Sequence, residues 1–264
     1  SDPASSVSEL AHHRTRTRPV IGVYGTDRAD VYRKAAATGP HAESGPIVGV
    51  DESQFPAAAA GSLIAAQTKA QMTPKPGARD ESTRWPVPEL RDRLAVMFTS
   101  GTTGDPKGVE ITQANYAFTG MVMAEAAGLA ADDRQLVVLP LFHANAQYYS
   151  FASAIWAGAS VGLVHRFSAS GFVPSARRLE ATHASLFAAP IRMILAKTAD
   201  GETLSLRHCW FAQNLSTEHY DRFATLAGCR PRQLYGMTET IPAVLTDRSE
   251  HPRPDVMGTP TPPC

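Results

Sequence analysis

The sequence predicts an α/β protein whose mostly parallel sheets are flanked by helices in a layered αβα arrangement. Short apolar runs alternate with longer segments of helical periodicity along the chain, which is the pattern of parallel strands joined by helices. Polar, glycine-containing motifs follow several of the predicted strands, where open α/β folds bind ligands. With 264 residues, of which 43% are hydrophobic, the chain can bury a core as one domain or two.

The first third of the chain is predicted to be a small α/β unit that ends in a linker. Two strands and the helix between them are expected at residues 20–24, 47–50 and 27–37, followed by an alanine-rich helical stretch. Residues 71–88 contain four prolines and show no periodicity, so we expect an exposed connection there. The expected division is a partial first subdomain with its linker, residues 1–90, and a larger α/β subdomain, residues 91–264.

The larger subdomain is predicted to alternate between strands and helices. The expected strands are residues 94–98, 135–139, 160–164, 185–188, 207–212 and 232–235. The expected helices are residues 113–127, 144–157, 173–182, 191–197 and 217–226. Thr112 is a suitable N-cap for the first of these helices, and Gly158 is placed to end the second. The strand at residues 94–98 is expected to be buried, with the loop after it leaving the end of the sheet.

Charge and cysteine content disfavour several classes of partner. The 25 basic and 25 acidic side chains balance, so no field of the whole protein attracts nucleic acid or an anionic membrane. Basic residues 12–18 precede an apolar stretch that is too short for a signal peptide, so we expect a solvated terminus. No apolar run reaches the length of a membrane span. Three cysteines without CxxC spacing argue against a disulfide framework or a zinc site, and a cytoplasmic protein is expected.

Residues 99–108 have the composition of a phosphate-binding loop. Glycines let backbone N–H groups turn inward, hydroxyls donate to phosphate oxygens, and a lysine adds a mobile charge. The residues with these properties are Thr99, Ser100, Gly101, Thr102, Thr103, Gly104 and Lys107. Pro106 and Gly108 flank the lysine where a P-loop has a glycine and a hydroxyl residue, so a P-loop NTPase is disfavoured. A surface turn rich in glycine and threonine is the alternative.

Two later segments also carry candidate chemistry: Pro140-Leu141-Phe142-His143 and Tyr235-Gly236-Met237-Thr238-Glu239-Thr240. Taken singly, Tyr235 would be a core aromatic at a strand end, and His143 a partly exposed histidine bonded to a carbonyl. Glu239 alone would be a solvated residue at a helix N-terminus. Only the whole hexapeptide indicates that Tyr235 contacts a nucleotide and that Glu239 binds a metal.

In this order, residues 98–108, 140–143 and 235–240 resemble three signatures of the ANL superfamily of adenylate-forming enzymes: its phosphate loop, its acyl-pocket segment and its nucleotide and Mg²⁺ motif. Residues 214–216 resemble a run found in crotonobetaine/carnitine-CoA ligases. The resemblance implies an AMP-forming acyl-CoA synthetase, an acid–thiol ligase whose large N-terminal domain this chain partly represents. The substrates it implies are a small carboxylic acid, ATP and CoA, with Mg²⁺ as cofactor, and a homodimer is an assembly it allows.

The resemblance also implies individual roles. Lys107, Thr238 and Glu239 would be catalytic, with Glu239 as the Mg²⁺ ligand and Thr238 donating to the α-phosphate. Residues 99–104 and Lys107 would hold the β- and γ-phosphates, while Tyr235 stacks on adenine. The remaining nucleotide contacts would be Asn214, Gly236, Met237 and Thr238, and the acyl pocket would be lined by His143, Asn145, Gln147, Gln213 and Met237.

Two departures from the superfamily pattern keep alternatives open. Ala212-Gln213-Asn214 stands where most relatives have a Gly-Gly-Ala type turn, which suggests a member with impaired adenylation that uses a preformed acyl-adenylate. The chain ends at Cys264, shortly after a turn at residues 258–263, whereas the superfamily continues into a small C-terminal domain. A non-catalytic module that binds nucleotide and acyl groups is therefore the other alternative.

Overall fold

The computed structural model describes residues 4–19, 22–38, 47–50, 87–99 and 106–262. The chain forms two compact units, residues 1–87 and residues 88–264. The predicted alanine-rich helix, most of the linker at residues 71–88 and residues 100–104 of the predicted phosphate loop lie outside the described residues.

The first unit contains two helices and a pair of parallel strands: α1 (Val7–Thr17), β1 (Gly22–Gly25), α2 (Ala29–Ala36) and β2 (Ile47–Val50), with a 3₁₀ turn before α2. These strands and α2 were predicted. Helix α1 was not, and it includes most of the basic segment expected to be a solvated terminus. Ser6 and Glu9 form a capping box at its start, and Leu10 packs with Ala35 of α2, so the segment is ordered by local capping and burial.

The second unit carries the remaining elements. In chain order they are β3 (Arg93–Thr99), β4 (Lys107–Thr112), α3 (Gln113–Ala127), β5 (Arg134–Val137), α4 (residues 144–157), β6 (Ser160–Leu163), α5 (Phe172–Arg178), β7 (His183–Phe187), α6 (Ala188–Leu195), β8 (His208–Ala212), α7 (Thr217–Ala227), β9 (Arg232–Tyr235), β10 (Leu245–Thr246) and β11 (Thr259–Pro260). Helix α4 is continuous but changes from α (Ala144–Ala146) to π (Gln147–Ala152) and back to α (Ser153–Ala157). None of the described helices is both long and apolar enough to cross a lipid bilayer.

Seven strands form one mixed sheet in the order β11-β10-β9-β8-β7-β5-β6. The five strands from β6 to β9 are mutually parallel, and β10 and β11 extend the sheet in antiparallel pairing. Its two faces are buried separately. Leu186 and Phe211 pack under α5, α6 and α7 on one face, while Trp210 and Leu234 pack under α3 and α4 on the other. The predicted αβα layering is therefore confirmed.

Local sequence signals fixed several element ends correctly. Thr112 caps α3 through a capping box with Asn115, and Gly158 ends α4 in the left-handed conformation, as predicted. Helix α5 ends at Arg178 rather than at residue 182, because Glu180 adopts a φ of 50° that a helix cannot contain.

The strand predicted at residues 94–98 forms, but its environment differs from the expectation. Strand β3 pairs with β4 in a separate antiparallel hairpin, and Leu94 is 43% exposed. Strand β4 was not predicted: its first two residues, Lys107 and Gly108, belong to the predicted phosphate loop, and residues 109–112 were assigned to no element. In helix α4, Tyr148 and Tyr149 are buried, whereas Trp156 near its end is 54% exposed.

Candidate active site at the carboxyl ends of the parallel strands

The order of the parallel strands creates a switch point in the sheet. From β5 the chain crosses to β6 on one side and then returns to β7 on the other side of β5. In open α/β sheets, ligands bind in the crevice outside the carboxyl ends of the strands at such a point. His143 follows β5, Gln213 follows β8 and Tyr235 ends β9, so these predicted site residues share the same edge.

The loop at residues 235–240 is open to solvent yet internally fixed. Tyr235 and Met237 are 44% and 49% exposed, which is unusual for large apolar side chains next to a core strand. The Thr240 hydroxyl accepts a hydrogen bond from the Met237 N–H at 3.0 Å and lies 3.0 Å from the carbonyl of Pro242. The loop therefore presents Tyr235 and Met237 to solvent on a backbone that is held in place.

Helix α4 contacts the loop at residues 235–240 through Tyr148 and Tyr149. The Tyr148 hydroxyl donates to the carbonyl of Thr238 at 3.3 Å. A Cβ on Gly236 would lie 2.8 Å from the Tyr149 hydroxyl and 3.0 Å from the Cα of Ala243, so only glycine fits there. Burial, and then the charges around it including Glu239, raise the pKa of Tyr148 above its usual range, so its phenol stays protonated and can donate.

The segment that contains His143 is also tied to α4. Gln147 donates to the carbonyl of Leu141 at 2.7 Å and accepts from the hydroxyl of Tyr116 at 2.9 Å. The ring of Phe142 lies 4.4 Å from the exposed ring of His143. These contacts hold the segment of His143 at the start of α4, beyond the carboxyl end of β5.

The turn after β8 adopts a backbone conformation that glycine would favour, although it contains no glycine. Gln213 has a φ of 74°, in the left-handed region that glycine occupies without steric cost. Its carbonyl accepts from Gln233 at 3.4 Å, and Arg192 reaches the carbonyl of Asn214 at 3.5 Å. The two side chains of the turn are exposed at the edge of the sheet.

The β3–β4 hairpin places the two described ends of the predicted phosphate loop together. Thr99 is paired with Lys107, and the Thr99 hydroxyl lies 3.5 Å from the Lys107 carbonyl. Lys107 is exposed and makes no ion pair with any described residue.

A family comparison decides what this arrangement belongs to. The family model described as AMP-binding enzyme matches residues 2–264. The chain belongs to the AMP-binding enzyme family.

Individual relatives agree with this assignment over part of their length. A crotonobetaine/carnitine–CoA ligase of Escherichia coli is 38% identical over 159 residues, which are 60% of this chain and 31% of that protein. The chain thus spans less than a third of the curated relatives that it matches.

Solved structures resemble the whole chain in fold. The anthranilate CoA ligase AuaEII in complex with anthranoyl-AMP superposes with a TM-score of 0.79 at 19% identity, covering 99% of this chain and 49% of that one. ATP-bound MatB from Rhodopseudomonas palustris superposes with a TM-score of 0.75 at 20% identity, covering 98% and 48%. Both are about twice as long as the present chain.

In this member of the AMP-binding enzyme family, the structure brings most of the predicted site residues to one edge. These are His143, Asn145, Gln213, Asn214, Tyr235, Gly236, Met237, Thr238 and Glu239. Thr99 and Lys107 lie instead at the end of the β3–β4 hairpin. Sequence reasoning missed that the buried Tyr148 and Tyr149 lie against the loop at residues 235–240. Their position one helical turn after His143 was the available signal.

The metal ligand predicted at Glu239 stands alone. Glu239 is exposed and forms no ion pair with the part of the chain that the structure describes. The described residues contain no cluster of three groups that could hold a metal ion by themselves. Mg²⁺ typically binds one or two carboxylates and completes its shell with phosphate oxygens and water, so a lone carboxylate fits this ion better than it fits zinc.

Proposed function

We propose that this chain carries the nucleotide- and acyl-binding core of an AMP-forming acyl-CoA synthetase. In that reaction the carboxylate of an acid attacks the α-phosphate of ATP, pyrophosphate leaves, and the thiol of CoA then displaces AMP from the acyl-adenylate. The observation that carries the proposal is the loop at residues 235–240. It holds an exposed aromatic ring, a hydroxyl and a carboxylate at the switch-point edge of a family whose members bind AMP.

The residues at this edge fit an adenine nucleotide. An exposed aromatic face such as that of Tyr235 can stack on a base. Gly236 leaves no space for a side chain against Tyr149, so the backbone itself forms the surface beside that ring. Thr238 would donate to the α-phosphate, and Asn214 and Met237 would line the adjoining surface. Lys107 and the hydroxyl and glycine residues at 99–104 would neutralise the β- and γ-phosphates.

Adenylation brings two anions together, so charge must be neutralised where the new bond forms. The ammonium group of Lys107 and the hydroxyl of Thr238 would contribute to this neutralisation. Glu239 would hold Mg²⁺, which neutralises phosphate charge and aligns the leaving pyrophosphate when it is bound. His143, Gln213 and Met237 surround the entrance to the crevice, where the acid would enter.

One alternative is a member that accepts a preformed acyl-adenylate. It was motivated by the absence of glycine at residues 212–214. Gln213 nevertheless adopts the left-handed backbone conformation, which keeps the path a glycine would give, so we favour complete adenylation chemistry. A cytoplasmic location, a homodimer, and CoA as the acceptor are further parts of the proposal and rest on the sequence and on the names of the relatives.

Magnesium-dependent binding of ATP tests the proposal. Calorimetry on the 264-residue chain should show ATP binding that is stronger with Mg²⁺ than with EDTA. The variant Glu239→Gln should lose most of this magnesium effect, because an amide cannot replace the charge of the carboxylate. Glu218→Gln, a change of another exposed glutamate on α7, is the matched control and should retain it. ATP binding that ignores both Mg²⁺ and Glu239 would contradict the assignment of the site.

A further inference from the structure

Three polar groups buried between α4 and the middle of strands β7 and β8 have no hydrogen-bond partner among the described residues. They are the carboxamide of Asn145 on α4, the hydroxyl of Ser185 on β7 and the indole Nε1 of Trp210 on β8. The three residues are 3%, 2% and 0% exposed. Buried polar groups are nearly always paired in folded proteins, so a cluster of three unpaired groups requires a partner that the described residues do not supply.

The three groups lie on the same side of the sheet. Ser185 and Trp210 are neighbours in the register of β7 and β8, so their side chains leave the same face. Trp210 packs with Tyr148 of α4, and the first turn of α4, which carries Asn145, packs against β7. The cluster therefore lies between α4 and the sheet.

Its depth suits the far end of a short ligand. Ser185 precedes Phe187, the last residue of β7, by two positions, which places it about 7 Å inside the edge of the sheet. Strand β7 and its neighbour β5 flank the switch point. A molecule whose reactive end stays at the carboxyl edge would reach the cluster with a chain of about four carbons.

The three groups themselves are polar but uncharged, and the buried ring of His208 lies 4.3 Å from that of Trp210. Indole Nε1 only donates, the carboxamide both donates and accepts, and the hydroxyl does either. Arg232 is the register neighbour of Trp210 on β9, but its guanidinium donates to the carbonyls of Asp247 and Ser249. A charged group placed at the cluster would lack a counter-ion, which is costly in a buried position.

We propose, on the basis of the proposed function, that Asn145, Ser185 and Trp210 form the inner end of the acyl pocket. They select a short carboxylic acid that carries a neutral hydrogen-bonding group, such as a hydroxyl, at the end opposite to its carboxylate. Asn145 and Trp210 donate to this group, and Asn145 or Ser185 accepts from it. The substrate class is thus neither a plain alkanoate nor an acid with a second charge.

Four acids of matched length test this selectivity on the 264-residue chain with AMP present. Calorimetry compares butyrate, 4-hydroxybutyrate, succinate and 4-aminobutyrate. We expect 4-hydroxybutyrate to bind on the order of tenfold more tightly than butyrate, since it satisfies groups that butyrate leaves unpaired. Succinate and 4-aminobutyrate should bind more weakly than 4-hydroxybutyrate.

Two variants of the cluster and one control locate the preference. Asn145→Leu and Trp210→Phe should each reduce the ratio between 4-hydroxybutyrate and butyrate severalfold, because each removes a polar group while keeping an apolar side chain of comparable size. Thr119→Val removes a different buried hydroxyl, on α3, that also lacks a partner among the described residues, and should leave the ratio unchanged. The ratio compares two acids on one variant, so a general loss of folding does not imitate the effect.

The outcomes separate this inference from the function on which it rests. Normal nucleotide binding without preference for 4-hydroxybutyrate would overturn the inference and leave the proposed function standing. A preference that survives in both cluster variants would do the same. Failure of the unmodified chain to bind AMP or ATP at all would overturn both.

Discussion

The two edges of the seven-stranded sheet carry similar titratable side chains, which are buried at the amino edge and exposed at the carboxyl edge. At the amino edge, Asp133, His183 and His208 are buried against one another and against Arg207. At the carboxyl edge, His143 and Glu239 are exposed, and Glu239 has no ion-pair partner among the described residues. At the amino edge the Asp133 carboxylate is paired with Arg207, whereas the exposed groups at the carboxyl edge are open to a ligand.

Burial has the largest single influence on the pKa values of His208 and Asp133, but it sets the direction of the shift only for His208. Burial is the largest influence on His208, and the nearby His183 and Arg232 add to it, so its pKa falls well below the usual range. Burial raises the pKa of Asp133, but a backbone hydrogen bond from Ala130, a bond with Thr182 and nearby positive charge outweigh it and lower the pKa overall. A strongly shifted pKa often marks an active site. Here the histidine whose pKa is lowered well below the usual range, His208, lies at the amino edge instead.

The largest expected effect is the loss of Asp133. This carboxylate accepts from the Ala130 N–H at 3.0 Å and from Arg207 at 2.8 Å. Asp133→Ala removes both bonds at a buried position and should lower the free energy of unfolding by about 3 kcal/mol. Urea denaturation measures this. Asp132→Ala, which removes a neighbouring exposed carboxylate, is the control and should cost less than about 1 kcal/mol.

Asp133→Ala should also leave the affinity for ATP unchanged where the variant is folded. A loss of ATP affinity comparable to the loss of stability would show that the two edges are not separate in function.

The second expected effect is a loss of ATP affinity when Lys107, at the end of the β3–β4 hairpin, is replaced. Lys107→Ala should weaken ATP binding by about 2 kcal/mol, roughly thirtyfold, because a charge-assisted contact to phosphate is lost. Its free energy of unfolding should not change, since the side chain is exposed. Calorimetry and urea denaturation together measure the two quantities, and Lys197→Ala, another exposed lysine, is the control. Equal ATP affinities for the three proteins would remove Lys107 from the site.

A smaller effect is the dependence of stability on pH. Because the pKa of His208 is lowered in the folded state, the unfolded chain binds more protons below the unfolded pKa of about 6.5. Stability is therefore complete above this pH and falls as the pH decreases, by at most about 1.4 kcal/mol per pH unit for each buried histidine. His183, whose pKa burial also lowers, contributes in the same direction.

The variant His208→Phe tests the source of this dependence. Neither ring nitrogen of His208 has a hydrogen-bond partner among the described residues, so phenylalanine removes no bond that they supply. Its unfolding free energy should fall less steeply between pH 7 and pH 5 than that of the unmodified chain. An identical slope for both proteins would assign the pH dependence elsewhere.

Short-range signals were sufficient for much of this fold. Thr112 with Asn115, and Gly158, act within one helical turn, so the sequence alone placed the ends of α3 and α4. Strands β10 and β11 were missed because two residues carry no periodicity. Strand β10 exists through pairing with β9, and β11 through pairing with β10, so both depend on contacts between separate segments of the chain.

The same distinction applies to the site. The composition of residues 235–240 predicted a nucleotide-binding loop, since the residues proposed to contact the nucleotide are adjacent in the sequence. The support from Tyr148 and Tyr149 could not be predicted, because it joins segments about 90 residues apart, as in the bond from Tyr148 to Thr238. Likewise, the left-handed backbone of Gln213 is imposed by the strands around it and contradicts the local preference of glutamine.

Hydrogen exchange of the chain with and without magnesium ATP tests the division between the two edges most directly. The account predicts slower exchange of backbone amides at residues 235–240, 213–214 and 141–147 when the nucleotide is present. Amides at residues 130–133 and 205–208, at the amino edge, should exchange at the same rate in both states. Protection confined to the amino edge, or protection spread equally over both edges, would contradict the claim that only the carboxyl edge binds the nucleotide.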